Sequence, residues 1–249
     1  MFGILTVIGL AYAAGRLFDA ITDPLIAGLS DRSTHPMGRR RFFLTVSILP
    51  FSLLSFLVFF PPQSGVTVLN TAWVFATIII FYWFMTMYVT PYFAWMSELG
   101  HSPKERLLLS TLISITWAVG TAIGSQVYAI KAVFENRGMD PAPAFQLTVA
   151  LFAVIGFIFM LLPIIFIDEK RYCEQHVSSE GIFEALKSSL GNRNFRVFAL
   201  SDLSYWIAIT IASTGLVYYV TILLALPEAF TSTLQVLMFG LSFVFYVPV

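Results

Sequence analysis

The sequence predicts an all-α protein that crosses a membrane many times, and three observations predict it. Apolar residues make up 58% of the 249 residues and charged ones only 11%, where a soluble domain carries about a quarter. Apolar runs near the ~20 residues needed to cross hydrocarbon recur along the chain, separated by polar breaks. Lys and Arg concentrate in alternate breaks, as they do in the cytoplasmic loops of membrane proteins. A soluble enzyme is excluded by this composition. A net charge of zero removes the case for a nucleic-acid partner, because phosphate binding needs a standing excess of cations. Cys173 is the one cysteine, so no internal disulfide forms. His35, His101 and His176 stand far apart with no ligand spacing, so no metal centre is read beyond a candidate Na+ site.

Seven spans are expected, at residues 2–30, 42–60, 71–97, 107–130, 145–167, 195–226 and 232–249. The first lacks the basic start and small-residue cleavage site of a signal peptide. The breaks after the first, third and fifth spans hold Arg32, Arg39, Arg40 and Arg41, then Lys104 and Arg106, then Lys170, Arg171, Lys187, Arg193 and Arg196, eleven of the fourteen Lys and Arg. The opposite breaks hold Lys131 and Arg137. This asymmetry puts Met1 on the outer side, which suits a chain preceded by one more helix, and the last run stops without a polar flank. The expectation is therefore a fragment, truncated at both ends.

Charge inside a span is the most informative feature, because an ionisable group at mid-membrane costs a few kcal/mol unless a partner, ion or water offsets it. Arg16, Asp19 and Asp23 are three and four residues apart and stack on one helix face. Asp19 lies about 20 Å along the axis from Arg32, near mid-membrane. The trio carries a surplus negative charge when both carboxylates ionise, the outline of a monovalent-cation or proton site in which Thr22 adds a hydroxyl. The bland alternative is an Arg16–Asp19 pair that only orients helices. Pro24 removes a backbone donor beside the site.

The third span carries Trp83, Tyr88, Tyr92 and Trp95 around Pro91; bundle packing is the ordinary use of any one of them and stacking on a sugar ring another. Glu98, at the inner end, is expected to face the basic loops. In the fourth span Gly120 and Gly124 permit close helix approach. The polar stretch 168–194 is a linker between 1–167, most of one half of a bundle, and 195–249, the start of the other. Within it Ser178-Ser179-Glu180 offers a helix start ahead of Ile182, Phe183, Leu186 and Leu190 at helical spacing. Asp202 in the sixth span reads as an interfacial or gate-side partner.

The segment Gly15-Arg16-Leu17-Phe18-Asp19-Ala20-Ile21-Thr22-Asp23-Pro24, with Gly28-Leu29-Ser30-Asp31-Arg32 and Gly38-Arg39-Arg40-Arg41 after it, resembles the second helix and following loop of the glycoside-pentoside-hexuronide cation symporters. This is the melibiose permease family of the major facilitator superfamily. Pro91-Tyr92-Phe93-Ala94 with Glu98-Leu99 and Glu105-Arg106 resembles that family's fourth helix. Asn192-Arg193-Asn194-Phe195, Tyr218-Tyr219-Val220 and Leu226-Pro227-Glu228 resemble the ends of its seventh. The resemblance covers nearly the whole chain and implies a partial major facilitator fold, helices two to eight of twelve. It implies that Asp19 and Asp23, with Thr22 and Thr86, hold the coupling Na+ or H+, with Arg16 as charge partner. Gly28, Asp31, Arg32, Gly38, Arg39 and Arg40 match a cytoplasmic gating motif that locks helix ends in one state. Tyr88, Tyr92, Phe93 and Trp95 become candidate substrate-lining residues. Val89 stands where the family has a sugar-contacting aspartate, and Ile113-Ser114 where it has an arginine, so galactoside recognition does not carry over.

The function these features imply is secondary active transport: cation-coupled symport of a sugar or glycoside by alternating access, with no cofactor, in a multi-pass monomer of the cell membrane. A lysophospholipid or other non-sugar solute is the alternative cargo. A channel or receptor-like bundle would need a continuous polar pore, which the remaining spans lack. An intramembrane aspartyl protease would need its two acids on different helices.

Overall fold

The computed structural model describes residues 2–65, 67–173 and 182–246, and these residues form helices and no strand. The helices are α1 (Phe2–Arg32), α2 (Arg41–Leu57), α3 (Val68–Leu99), α4 (Pro103–Gly124), α5 (Val127–Asn136), α6 (Pro141–Phe166), α7 (Glu169–Tyr172), α8 (Ile182–Gly191), α9 (Arg193–Tyr218) and α10 (Ala229–Tyr246). Helix therefore occupies each of the seven expected spans. Among the described residues four stretches are long and apolar enough to cross a membrane: Val68–Leu99, Pro103–Asn136, Pro141–Phe166 and Arg193–Leu223. The short linker helix is present as α8, while its expected start at Ser178-Ser179-Glu180 lies outside the described residues.

Local chemistry sets the ends. Thr67 caps α3 by accepting the N–H of Asn70, and the Asn70 amide in turn donates to the carbonyls of Gln63 and Gly65 at 2.8 and 2.6 Å. Before α4, Ser102 and Glu105 form a reciprocal capping box, with Pro103 at the first helical position where its missing donor costs nothing. The expected fourth span is broken at Ser125–Gln126 into α4 and α5. The Ser125 hydroxyl bonds back to the Ala122 carbonyl at 2.7 Å, and its own carbonyl accepts from the Ser232 hydroxyl. The sixth ends in a π turn, Tyr219–Leu223, before Ala225 at φ +50°.

The chain forms two compact units, Met1–Ser110 with Val149–Ser179 and Thr111–Thr148 with Glu180–Val249. The second draws on residues from both sides of the linker, whereas the first ends within it. In the first, α3 packs on α1 along one face and on α2 along another. Its core is Leu44 and Ile48 from α2, Tyr88 and Trp95 from α3, Ile164 from α6, and Cys173. The Tyr88 hydroxyl donates to the Met160 carbonyl at 2.6 Å, closing α3 onto α6. Between α1 and α3 the close approach is at Gly15, where a Cβ would collide with the Tyr82 ring and lie 2.9 Å from Ile78.

In the second unit, Lys131 of α5 bridges Glu135 at 3.6 Å and Glu228 at 3.1 Å, and Trp117 meets Trp206 edge to face. Gly120 and Gly124 do not behave as expected. A Cβ at either would meet nothing within 4 Å, so among the described residues no helix approaches them closely.

Gly15 and the α4 glycines thus separate sharply in their tolerance of bulk. Gly15→Val should lower the thermal unfolding midpoint in detergent, overpacking costing about 1–3 kcal/mol. Gly124→Ala should leave the midpoint unchanged or raise it slightly, since Ala gains up to ~1 kcal/mol of helix propensity.

Candidate functional site

The stripe on α1 is met by threonines on α3. The Thr86 hydroxyl donates to Asp19 Oδ1, and one turn on the Thr90 hydroxyl donates to Asp23 Oδ1 at 2.9 Å. Both pairs have a sequence separation of 67, so the helices run parallel in constant register across this turn. Thr22 Oγ1 lies 3.4 Å from Thr86 Oγ1 and 3.2 Å from the Asp19 carbonyl oxygen. Thr22 and Thr86 are 2% and 1% exposed, so their hydroxyls are committed to this interface. The result is a cluster of hard oxygen donors: two carboxylates and three hydroxyls from two helices.

Arg16 sits one turn above. Its Nη1 is 3.7 Å from Asp19 Oδ2, a loose ion pair, while Nε and Nη2 both donate to the Tyr12 hydroxyl at 3.2 Å. The guanidinium lies 5.4 Å from the Tyr12 ring centre and 5.5 Å from that of Tyr82, within cation–π range. The Tyr12 hydroxyl therefore holds the arginine more closely than its acid does.

The four aromatic residues matched to a substrate lining divide by helix face. Tyr88 and Trp95, at 4% and 0% exposure, belong to the packed core, and Tyr92 stacks on Tyr88 with ring centres 6.0 Å apart. Their face of α3 is opposite that of Thr86 and Thr90. Phe93 is exposed, and seven residues after Thr86 it shares the face of the carboxylate-bonded threonines. Trp83 instead joins the α1 interface through Phe18, 6.1 Å away.

At the Arg-rich end of these helices a second cluster forms. Arg40 Nη2 binds Asp31 at 2.8 Å and Glu98 at 2.9 Å, and Arg39 Nη2 binds the same Glu98 oxygen. Arg39 and Arg40 are both buried. Gly38, at φ +121°, makes the left-handed turn into α2, while Gly28 and Arg32 lie within the last two turns of α1. Glu169, buried at the start of α7, accepts the backbone N–H groups of Arg40 and Arg41. Asp202 is exposed on α9. Among the described residues no group of three or more His, Cys, Asp or Glu is arranged to hold a metal.

Thr90 and Glu169 escaped the sequence reading. Thr90 had a signal, its four-residue spacing from Thr86 matching that of Asp23 from Asp19. Glu169 had none, because its partners are backbone groups on a segment 129 residues earlier.

Residues 4–249 match the family described as MFS/sugar transport protein. The chain belongs to that family. This agrees with the resemblance to glycoside-pentoside-hexuronide symporters and identifies the chain as a multi-pass membrane protein of transporter rather than enzyme type. It is 26% identical over 231 residues to the inner membrane symporter YicJ of Escherichia coli K12, covering 91% of this chain and 48% of that protein. It is 24% identical over 240 residues to the candidate glycoside/cation symporter YagG of the same strain, covering 94% and 50%. It is 23% identical over 221 residues to the isoprimeverose transporter of Lactiplantibacillus pentosus, covering 88% and 46%. The chain spans about half the length of these curated relatives.

Cys173 reports on the second cluster. Burial pushes its thiol up to about 11, and the nearby carboxylates of Glu98 and Glu169 add to the shift. The thiolate is the reactive form, so folded protein at mildly alkaline pH should alkylate about a hundred times more slowly than an ordinary free thiol. The rate should climb about tenfold per pH unit until the thiol titrates, and unfolding should abolish the protection. Maleimide labelling followed by mass spectrometry measures both.

Proposed function

We propose that the full protein is a secondary active transporter in which Na+ or H+ drives symport of a sugar or glycoside by alternating access. The observation that carries this reading is the register of α1 on α3, which brings the Asp19 and Asp23 carboxylates against the Thr86 and Thr90 hydroxyls. Carboxylate and hydroxyl oxygens suit a small hard cation, and a proton on either carboxylate removes the same surplus charge. Either ion lowers the cost of holding two acids within the membrane. The names of YicJ and YagG, both symporters, support a coupling ion, and the glycoside and isoprimeverose in the names of two relatives support a sugar cargo.

In this reading residues 1–167 form most of one half, 168–194 the linker and 195–249 the start of the other half of a monomer that rocks about a midplane site. Arg16 tunes the charge beside Asp19. Phe93, exposed on the cation face, is the aromatic best placed for a sugar ring. Asp31, Arg39 and Arg40, with Glu98, latch helix ends in one of the two states. Coupling is reciprocal: cargo tightens the cation by the factor by which the cation tightens cargo.

The test is uptake of a panel of labelled sugars by cells carrying the full-length gene, with and without Na+ and at acidic and neutral pH. Asp19→Asn and Asp23→Asn should each remove cation stimulation, and the condition that stimulates the wild type names the ion. Thr90→Val should raise the half-saturating cation concentration about tenfold, equivalent to ~1.4 kcal/mol, with little change in maximal rate. An Asp23→Asn variant with normal Na+ and pH stimulation would sink the assignment.

A further inference from the structure

The first turn of a helix leaves backbone N–H groups without intrahelical acceptors, and at α2 the local remedy is one long bond, from the Phe42 N–H to the Gly38 carbonyl at 3.4 Å. Arg40 at its N-cap is helical and makes no side-chain cap bond, and no acid stands in the first turn. The cap comes from a distant part of the sequence. Glu169 Oε1 accepts the Arg40 N–H at 3.0 Å, while Oε2 lies 3.2 Å from the Arg40 nitrogen and accepts the Arg41 N–H at 2.9 Å. Its charge also lies at the positive end of the α2 dipole. Glu169 is 2% exposed, and the turn into α2 is shaped around it, since a Cβ on Gly38 would strike Glu169 Oε2.

The loop is thus gripped in two ways. Glu98 and Asp31 take the guanidiniums of Arg39 and Arg40, whereas Glu169 takes the backbone from which those side chains project. We infer that Glu169 is a positioning residue of the gate, fixing the loop backbone so that Arg39 and Arg40 reach Glu98 and Asp31, and tying the start of the linker to the latched state. This rests on the proposed gating role of the Arg39–Arg40 cluster. When the two halves move, the gate and the linker release together, because a single carboxylate joins them.

The test uses the full-length protein as Glu169→Ala and Glu169→Gln, with Lys170→Gln, an exposed neighbour, as control. The first arm is limited trypsin digestion of open membrane fragments, read at the bonds after Arg39, Arg40 and Arg41. Glu169→Ala should be cut there about ten times faster than wild type. Glu169→Gln, which keeps one carbonyl acceptor, should fall between them, and Lys170→Gln should match wild type. The second arm compares net uptake with equilibrium exchange of the same sugar. Loss of the clamp should lower net uptake about fivefold or more relative to exchange, with the half-saturating cation concentration unchanged.

Wild-type cleavage in both Glu169 variants would overturn the clamp. Faster cleavage with an unchanged ratio of net uptake to exchange, or loss of both in proportion to inserted protein, would reduce Glu169 to a fold-stabilising residue and overturn its place in the gate. The proteolysis arm needs no cargo, so if no sugar is carried, the transport reading fails while the clamp is still decided by cleavage.

Discussion

The site depends on how closely α1 and α3 approach. A threonine hydroxyl sits only one bond beyond Cβ, so it reaches a carboxylate on a neighbouring helix only where the two backbones nearly touch. Gly15 allows that approach by lying flat against the Tyr82 ring, and the parallel register carries it on to Thr86 and Thr90. In hydrocarbon there is little hydrophobic gain in pairing helices, and close packing with interhelical hydrogen bonds holds them instead. The interface that brings the helices together is therefore the same surface that presents the oxygen donors. A change in one is felt in the other.

The Arg-rich end solves a different problem with the same economy of means. Two buried guanidiniums face two carboxylates, Asp31 and Glu98, while a third, Glu169, meets the partial positive charge at the start of α2. Removing one partner of such a cluster strands the others, at a cost of about 3–5 kcal/mol for a buried pair. A cluster of this kind has two comfortable conditions, fully assembled or opened to water, and few between them. That is the behaviour a latch requires.

The helical class, the positions of the helices and the charged stripe were legible in the sequence, because hydrophobic runs and helical spacing are local properties. The family, too, was legible in the run from Gly15 to Pro24 and the arginines after it. What was not legible is contact between distant segments. Gly120 and Gly124 have the small-residue spacing of a packing motif and open onto space, while Gly15, with no such pattern, makes the tight contact. Tyr88 and Phe93 are equally aromatic in the sequence, and only the direction of each on α3 separates a core residue from an exposed one. Glu169 acts on backbone groups, which leave no trace in residue identity. The Ser125 carbonyl at the break between α4 and α5 likewise bonds to Ser232, more than a hundred residues later.

The trans cap on α2 also bears on how the protein is made. The N–H groups of Arg40 and Arg41 emerge from the ribosome 129 and 128 residues before their acceptor, which at 5–20 residues per second is a delay of about 6–26 s. Through that interval the first turn of α2 lacks this cap while the residues of α3 to α6 are made. The guanidinium partners Asp31 and Glu98 are made first, and the backbone of the arginine loop gains its cap only when α7 appears.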